Sequence, residues 1–119
     1  MNTRRGDVFW ISPNESNEIA SDYSHPHVVL QVNPSQGNSS NTVVVCGLTS
    51  NLKRAKEPGN VLLEEGEADL SRQSVVVVSQ VSTVDTTQLG EYIGTLTEPR
   101  MDQVLAGMQF LQEMTRRFK

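Results

Sequence analysis

Polar side chains that could catalyse a reaction lie at the ends of two apolar runs of the chain. His25 and His27 open one run, and Thr49 and Ser50 follow another. A histidine titrates near ~6.5 and can accept or donate a proton at neutral pH. A hydroxyl can donate a hydrogen bond to a phosphoryl oxygen as charge develops there. These groups suffice to cleave RNA without a metal, a reaction in which the ribose 2′-hydroxyl attacks the adjacent phosphate.

Three cations, Lys53, Arg54 and Lys56, come directly after the second cluster. The chain of 119 residues has a formal net charge of −4, which argues against broad, non-specific binding of nucleic acid. A local basic segment on an acidic chain instead fits a site that holds a few phosphates. The alternative is a solvated charged loop with no role in binding.

The other candidate side chains also have structural alternatives. His25 could be an exposed loop histidine, and His27 could be an outward-facing strand residue instead of a second acid or base. Gln80, inside VVVVSQVSTVD, could read a base edge or form a hydrogen bond on the face of a strand.

We expect no metal site and no bound cofactor. Zinc sites use three or four ligands, whereas the chain offers two histidines and one cysteine. This cysteine, Cys46, lies in the apolar run VVVCGL, so we expect it to be buried. A lone cysteine cannot form an internal disulfide, which favours a reducing compartment. The apolar run near the N-terminus is too short for a signal peptide or a membrane span, so we expect a cytoplasmic protein.

The candidate residues must be positioned by β-strands, because the apolar runs are short and rich in β-branched side chains. Strands are predicted at residues 7–11, 27–32, 43–48, 61–64, 74–84 and 92–96. Pro26 can stand only at the start or edge of a strand, so we expect His25 at a strand end. Alternation along the second strand predicts Val28, Leu30 and Val32 on one face and His27, Val29 and Gln31 on the other.

One helix is predicted at the end of the chain, after a proposed N-cap at Thr97. Its apolar stripe consists of Met101, Val104, Leu105, Met108, Leu111 and Phe118. Residues 12–23 read as a long polar loop and residues 33–41 as a turn-rich connection. Many short strands, one terminal helix and no β-α-β alternation favour a mainly β fold, a small twisted barrel, in a single domain over residues 1–119.

In order and spacing, the chain resembles the MazF/PemK family of toxin endoribonucleases over nearly its whole length. The resemblance is carried by RGDVFWI at 5–11, SHPHVVLQV at 24–32, TVVVCGLTS at 42–50, NLKRAKEPGNVLL at 51–63 and QSVVVVSQVSTVD at 73–85. It implies an SH3-like β-barrel with a C-terminal helix that acts as a homodimer. It also implies sequence-specific, metal-independent cleavage of single-stranded RNA and an antitoxin partner.

The same resemblance implies which residues act. The family's catalytic pair is the arginine of an Arg-Pro pair and a threonine at the end of the third strand, and these positions hold His25 and Thr49 here. His27 and Ser50 are the expected supporting groups, and the expected RNA-binding residues are Lys53, Arg54, Lys56 and Gln80. The family also often carries Gly-Ser-Glu ahead of the arginine, whereas this chain reads NEIASDYSHP and lacks that glutamate.

Two other functions compete with this prediction. Gyrase-poisoning toxins share the fold and bind a protein partner without cleaving RNA. An inactive regulatory paralogue is also compatible with a histidine at the arginine position. Fold resemblance cannot separate these functions.

Overall fold

The protein forms one curled antiparallel sheet and a C-terminal helix. A computed structural model describes residues 3–12, 24–34 and 41–117. The six strands lie in the order β4-β5-β3-β2-β1-β6, which leaves β4 and β6 as edges that do not pair within the described ranges. Their bounds are β1 Asp7–Ile11, β2 His25–Asn33, β3 Thr42–Thr49, β4 Val61–Leu63, β5 Ser74–Asp85 and β6 Tyr92–Thr95, and the helix α1 spans Glu98–Arg117. The predicted mainly β class with a terminal helix is confirmed, in the form of a half-barrel.

Both faces of the sheet are packed, which explains why the central strand β3 is apolar almost throughout. Cys46 and Leu48 belong to the core on the face that α1 covers, whereas Val43 and Val45 belong to a second core on the opposite face. The Cys46 thiol is fully buried and donates to the backbone oxygen of Val77 at 3.1 Å. Burial raises the pKa of this thiol to about 12, and the prediction that Cys46 is buried is confirmed.

The predicted alternation along β2 is wrong beyond Leu30. The pairing of β2 with β3 shifts register between Val29 and Gln31, as a β-bulge does. The extra residue moves the following side chains to the other face. Val28 and Leu30 therefore pack on the α1 side, as expected, but Val32 packs with Val29 in the second core.

Helix α1 is anchored at its first turns. The Thr97 hydroxyl accepts a hydrogen bond from the Arg100 amide at 3.3 Å, as the predicted N-cap requires. Met101 and Val104 are buried in the core, and Met108 and Leu111 pack against it. Phe118, the last member of the predicted stripe, lies outside the described residues.

A tight turn before β5 closes the open side of the half-barrel. Its 3-10 helix, Glu67–Asp69, contains left-handed backbone at Ala68 (φ 51°) and Asp69 (φ 57°). The Glu67 carboxylate pairs with Arg100 of α1 at 2.7 Å, which ties the turn to the helix. Gly94 of β6 presses against the backbone of Ala68, where a β-carbon would overlap it. The turn therefore bridges the gap between the two sheet edges.

Within the described parts of the chain, no helix is long and apolar enough to cross a membrane.

Candidate active site

The antiparallel topology brings the two predicted catalytic residues to the same end of the sheet. His25 starts β2 and Thr49 ends the neighbouring β3. His27 pairs with Gly47, and Val28 pairs with Cys46. Continuing this register by two residues toward the strand ends puts His25 opposite Thr49. The two side chains predicted from separate motifs are thus neighbours across one strand pair.

A cleft of about 790 Å³ opens at this end of the sheet. Its polar lining includes His25, Thr49, Ser50, Asp69 and Arg72. Its apolar lining includes Trp10, Pro26, Leu48, Leu70 and Ile93. The volume falls within the range of ordinary small-ligand sites, which also combine apolar walls with polar groups. Three predicted site residues, His25, Thr49 and Ser50, therefore share one cleft.

The Thr49 hydroxyl is held in place by its own loop. Its Oγ1 accepts a hydrogen bond from the Asn51 amide at 3.2 Å, and the side chain is half-buried. Asn51 in turn caps the 3-10 helix Leu52–Lys56 by accepting from the Lys53 amide at 3.2 Å. Within residues 3–12, 24–34 and 41–117, nothing accepts the Thr49 hydroxyl hydrogen. This hydrogen is free to be donated to a ligand oxygen in the cleft.

His27 lies apart from the cleft, on the sheet face that carries Phe9, with which it pairs. Its Nδ1–H donates to the backbone oxygen of His25 at 2.9 Å, which leaves Nε2 as the acceptor of the neutral ring. Nε2 and the Gln80 side chain both border Gly47. Burial is the main cause that lowers the pKa of His27 from 6.5, although the bond to His25 opposes it. His27 and Gln80 thus form a second polar group beside the site, not within the cleft.

The cationic segment after Thr49 does not line the cleft either. Arg54 donates to both carboxylate oxygens of Glu57, at 3.0 and 3.2 Å from Nε. These hydrogen bonds lower the pKa of the Glu57 carboxyl and raise that of Arg54. Lys53 and Lys56 are exposed on the same 3-10 helix. The Glu57 carboxylate therefore offsets much of the charge of Arg54. Lys53 and Lys56 are the exposed cations of the segment.

Several cleft residues were not predicted from the sequence, among them Arg72 and Trp10. Arg72 stands in a polar stretch between two strands, where no periodicity marks it, and Trp10 reads as an ordinary strand residue. Trp10 is 37% exposed, unlike its neighbours Phe9 and Ile11, at 2% and 7%. Alternation along β1 turns Trp10 away from the face of these two neighbours, which is the one signal that could have drawn attention to it.

Residues 13–23 of the predicted long loop lie outside the described residues. Within the described residues, no group of three or more histidine, cysteine, aspartate or glutamate side chains is placed to hold a metal ion.

Comparison with known proteins gives concordant results. Residues 4–111 match the family described as PemK-like, MazF-like toxin of type II toxin-antitoxin system. The chain is 32% identical over 103 residues to the Endoribonuclease MazF of Staphylococcus saprophyticus, covering 85% of this chain and 83% of that protein. It is 33% identical over 103 residues, with the same coverage, to the Endoribonuclease MazF of Staphylococcus epidermidis.

Solved structures agree in fold. An endoribonuclease in complex with its cognate antitoxin, from a mycobacterial species, superposes with a TM-score of 0.64 at 18% identity and covers 91% of both chains. The Mycobacterium tuberculosis toxin MazF-mt6 gives a TM-score of 0.65 at 17% identity, covering 86% of this chain and 91% of that one. On the family match and the two staphylococcal relatives, the chain belongs to the PemK-like, MazF-like toxin family of type II toxin–antitoxin systems.

Proposed function

We propose that this chain is the endoribonuclease toxin of a toxin–antitoxin pair and that it cleaves single-stranded RNA at particular sequences with His25 and Thr49. The observation that carries the proposal is the cleft that both side chains line. Its relatives named Endoribonuclease MazF support the reaction class. Both residues lie at strand ends, and they occupy the positions that the family resemblance assigns to the catalytic pair.

The reaction is transesterification at a phosphodiester. His25 takes the proton of the ribose 2′-hydroxyl, and the 2′ oxygen then attacks phosphorus while the bond from phosphorus to the 5′ oxygen breaks. The protonated imidazole returns its proton to the departing 5′ oxygen. The products are a 2′,3′-cyclic phosphate and a 5′-hydroxyl, so one proton moves from the 2′ to the 5′ oxygen.

Thr49 stabilises the negative charge that grows on the phosphoryl oxygens during this step. Its hydroxyl oxygen accepts a hydrogen bond from the Asn51 amide, and the hydroxyl hydrogen can be donated to a phosphoryl oxygen. Ser50, exposed on the same rim, is the supporting donor. His27 and Gln80 sit beside the site and are suited to contacts with a flanking nucleotide, not to the proton transfers.

Trp10 favours an unpaired substrate. A base in a duplex is already stacked, whereas an unpaired base can stack on an exposed aromatic ring. The indole of Trp10 lines the cleft beside Pro26, with which its residue pairs across β1 and β2. RNA lying in the cleft can therefore place one base on Trp10 and its phosphate near Thr49, while Lys53 and Lys56 meet phosphates farther along the strand.

The proposed protein partner is an antitoxin with an acidic, partly disordered segment that covers this cleft and folds on binding. One structure of similar fold is an endoribonuclease in complex with its cognate antitoxin. Arg72, Lys53 and Lys56 are exposed cations that such a segment would meet. We place both proteins in the cytoplasm, the reducing compartment that the free thiol of Cys46 favours, and we expect the toxin to be a homodimer.

The proposal is tested by incubating the purified protein with a long single-stranded transcript in EDTA. Discrete fragments ending in 2′,3′-cyclic phosphate are expected. Intact RNA together with inhibition of purified gyrase would contradict the proposal and support the non-catalytic alternative. Intact RNA without an effect on gyrase would also contradict it, and would favour an inactive paralogue.

A further inference from the structure

The cleft holds one permanently charged cation among the described residues. Arg72 lines it together with the histidine of the proposed catalytic pair, and Asp69 supplies a carboxylate. An RNA phosphate entering the cleft is repelled by Asp69 and needs a compensating positive charge. The cationic segment does not supply this charge within the cleft, because Lys53, Arg54 and Lys56 are not part of its lining.

The backbone of Arg72 is anchored on both sides. The Ser74 hydroxyl donates to the Arg72 carbonyl at 3.1 Å, and Ser74 is itself 4% exposed. The neighbouring Gln73 donates to Glu64 at 2.8 Å. On the other side, Leu70 is 5% exposed in the core and its carbonyl accepts from the Gly66 amide at 2.8 Å. The segment that carries Arg72 is therefore fixed relative to the cleft.

The Arg72 side chain, by contrast, is not committed to a protein partner. It is exposed, and within residues 3–12, 24–34 and 41–117 it makes no ion pair or side-chain hydrogen bond. Arg54 and Arg100, by contrast, each pair with a glutamate. A free guanidinium on a fixed backbone at the rim of a cleft has the geometry of an anion-binding group, because its planar fork can hold two phosphate oxygens at once.

We propose that Arg72 binds the scissile phosphate in the cleft and supplies a fixed positive charge that His25 does not. This inference rests on the proposed function. A histidine that takes up and returns a proton is neutral for part of the cycle, so it cannot hold the phosphate charge throughout. A guanidinium group, by contrast, is not deprotonated in proteins. His25 on β2 thus transfers the proton, and Arg72, just before β5, holds the phosphate charge; β2 and β5 are the strands that flank β3.

The test uses Arg72→Ala, Arg72→Gln and Arg72→Lys, with Arg117→Ala as the matched control, since Arg117 is an exposed arginine at the end of α1. The wild type first defines a cleavage site on a long single-stranded transcript. An unmodified oligonucleotide that spans this site is then used to measure cleavage rates. The same oligonucleotide with a 2′-O-methyl group on the attacking ribose cannot be cleaved, and it is used to measure binding affinity at several salt concentrations.

We expect Arg72→Ala and Arg72→Gln to lower kcat/KM by about 10²-fold, the typical effect of removing one group that stabilises the transition state. The slope of log affinity against log salt should become shallower by ~0.7, the value for one contact to a single-strand phosphate. Arg72→Lys should keep the salt slope and recover part of the rate, because it keeps the charge without the planar fork of the guanidinium.

Arg117→Ala, the control, should change neither the rate nor the salt slope. Urea midpoints monitor folding, and Arg72→Gln, similar in length to arginine, provides a second test if the alanine variant unfolds.

The possible results separate this inference from the proposed function. If the wild type cleaves RNA and Arg72→Gln has the same rate and salt slope, the assignment of Arg72 is overturned. The proposed ribonuclease function then still stands. A rate loss with no change of salt slope also overturns it, because that pattern indicates a structural role. A wild type that cleaves no RNA contradicts the proposed function and removes the basis of the inference with it.

Discussion

At the scale of single residues, the family resemblance predicts that His25 occupies the position of a catalytic arginine. If His25 exchanges protons with RNA, the cleavage rate must fall in acid as the ring becomes protonated and can no longer accept the 2′-hydroxyl proton. We expect His25→Arg to abolish this acid limb of the pH–rate profile while retaining some cleavage, because arginine holds phosphate charge but does not deprotonate.

The control for this prediction is His27→Gln, measured over the same pH range. His27 lies outside the cleft lining, so its replacement should leave the acid limb in place. A His25→Arg variant with the wild-type pH profile would show that His25 is not the titrating group.

His27 should affect folding stability instead. Its pKa is lowered in the folded protein, chiefly by burial, relative to 6.5 for the ordinary side chain. At a pH between these two pKa values, the unfolded chain binds a proton on His27 that the folded protein does not. The contribution of His27 to stability is therefore complete above the ordinary pKa and decreases as pH falls through it. We expect wild type to lose more stability than His27→Gln between about pH 7.5 and 5.5, a span centred on the ordinary histidine pKa. Urea midpoints at both pH values measure this difference, and equal losses would mean that burial does not penalise the charged ring.

At the scale of elements, helix α1 contacts the turn before β4 where Gly107 meets Gly59. A β-carbon at Gly107 would overlap the backbone carbonyl of Gly59, which itself has a left-handed φ of 82°. Gly107→Ala gains about 1 kcal/mol of helix propensity, but it forces the helix away from this turn. We expect net destabilisation of about 1–3 kcal/mol, typical of overpacking.

Chemical denaturation measures this effect. Gln109→Ala, an exposed change on the same helix, should stay within about 0.5 kcal/mol of wild type. A Gly107→Ala variant as stable as wild type would mean that α1 can move off the turn at little cost.

The elements themselves were largely predictable, because each depends on a local pattern. β1 runs over the predicted residues, and the Thr97 cap and the buried stripe of α1 follow from helical spacing. The bulge near Leu30 was not predictable, since an extra residue leaves no mark in a run of apolar side chains. Strand ends are visible in sequence and pointed to His25, His27, Thr49 and Ser50, and the family resemblance selected His25 and Thr49 among them. Arg72 was not predictable, because its place depends on how the turn before β5 packs against the rest of the fold.

At the scale of the whole molecule, we predict a homodimer. Large apolar side chains remain partly exposed, among them Val81 at 40% and Phe110 at 53%, and such surfaces are common where proteins associate. Light scattering at micromolar concentration should give about twice the chain mass of 13.2 kDa. A stable monomer at this concentration would contradict the predicted homodimer. The single domain over residues 1–119 stays a prediction.

The central claim is that the hydroxyl of Thr49 acts on the RNA in the cleft it shares with His25. The direct measurement is the single-turnover cleavage rate of Thr49→Ala and Thr49→Ser beside the wild type, with circular dichroism to verify folding. We expect Thr49→Ala to lose ~10²–10³-fold in rate, as when one transition-state donor is removed, and Thr49→Ser to keep much of the rate because it keeps the hydroxyl. A folded Thr49→Ala protein that yields the same fragments at the wild-type rate would contradict the claim.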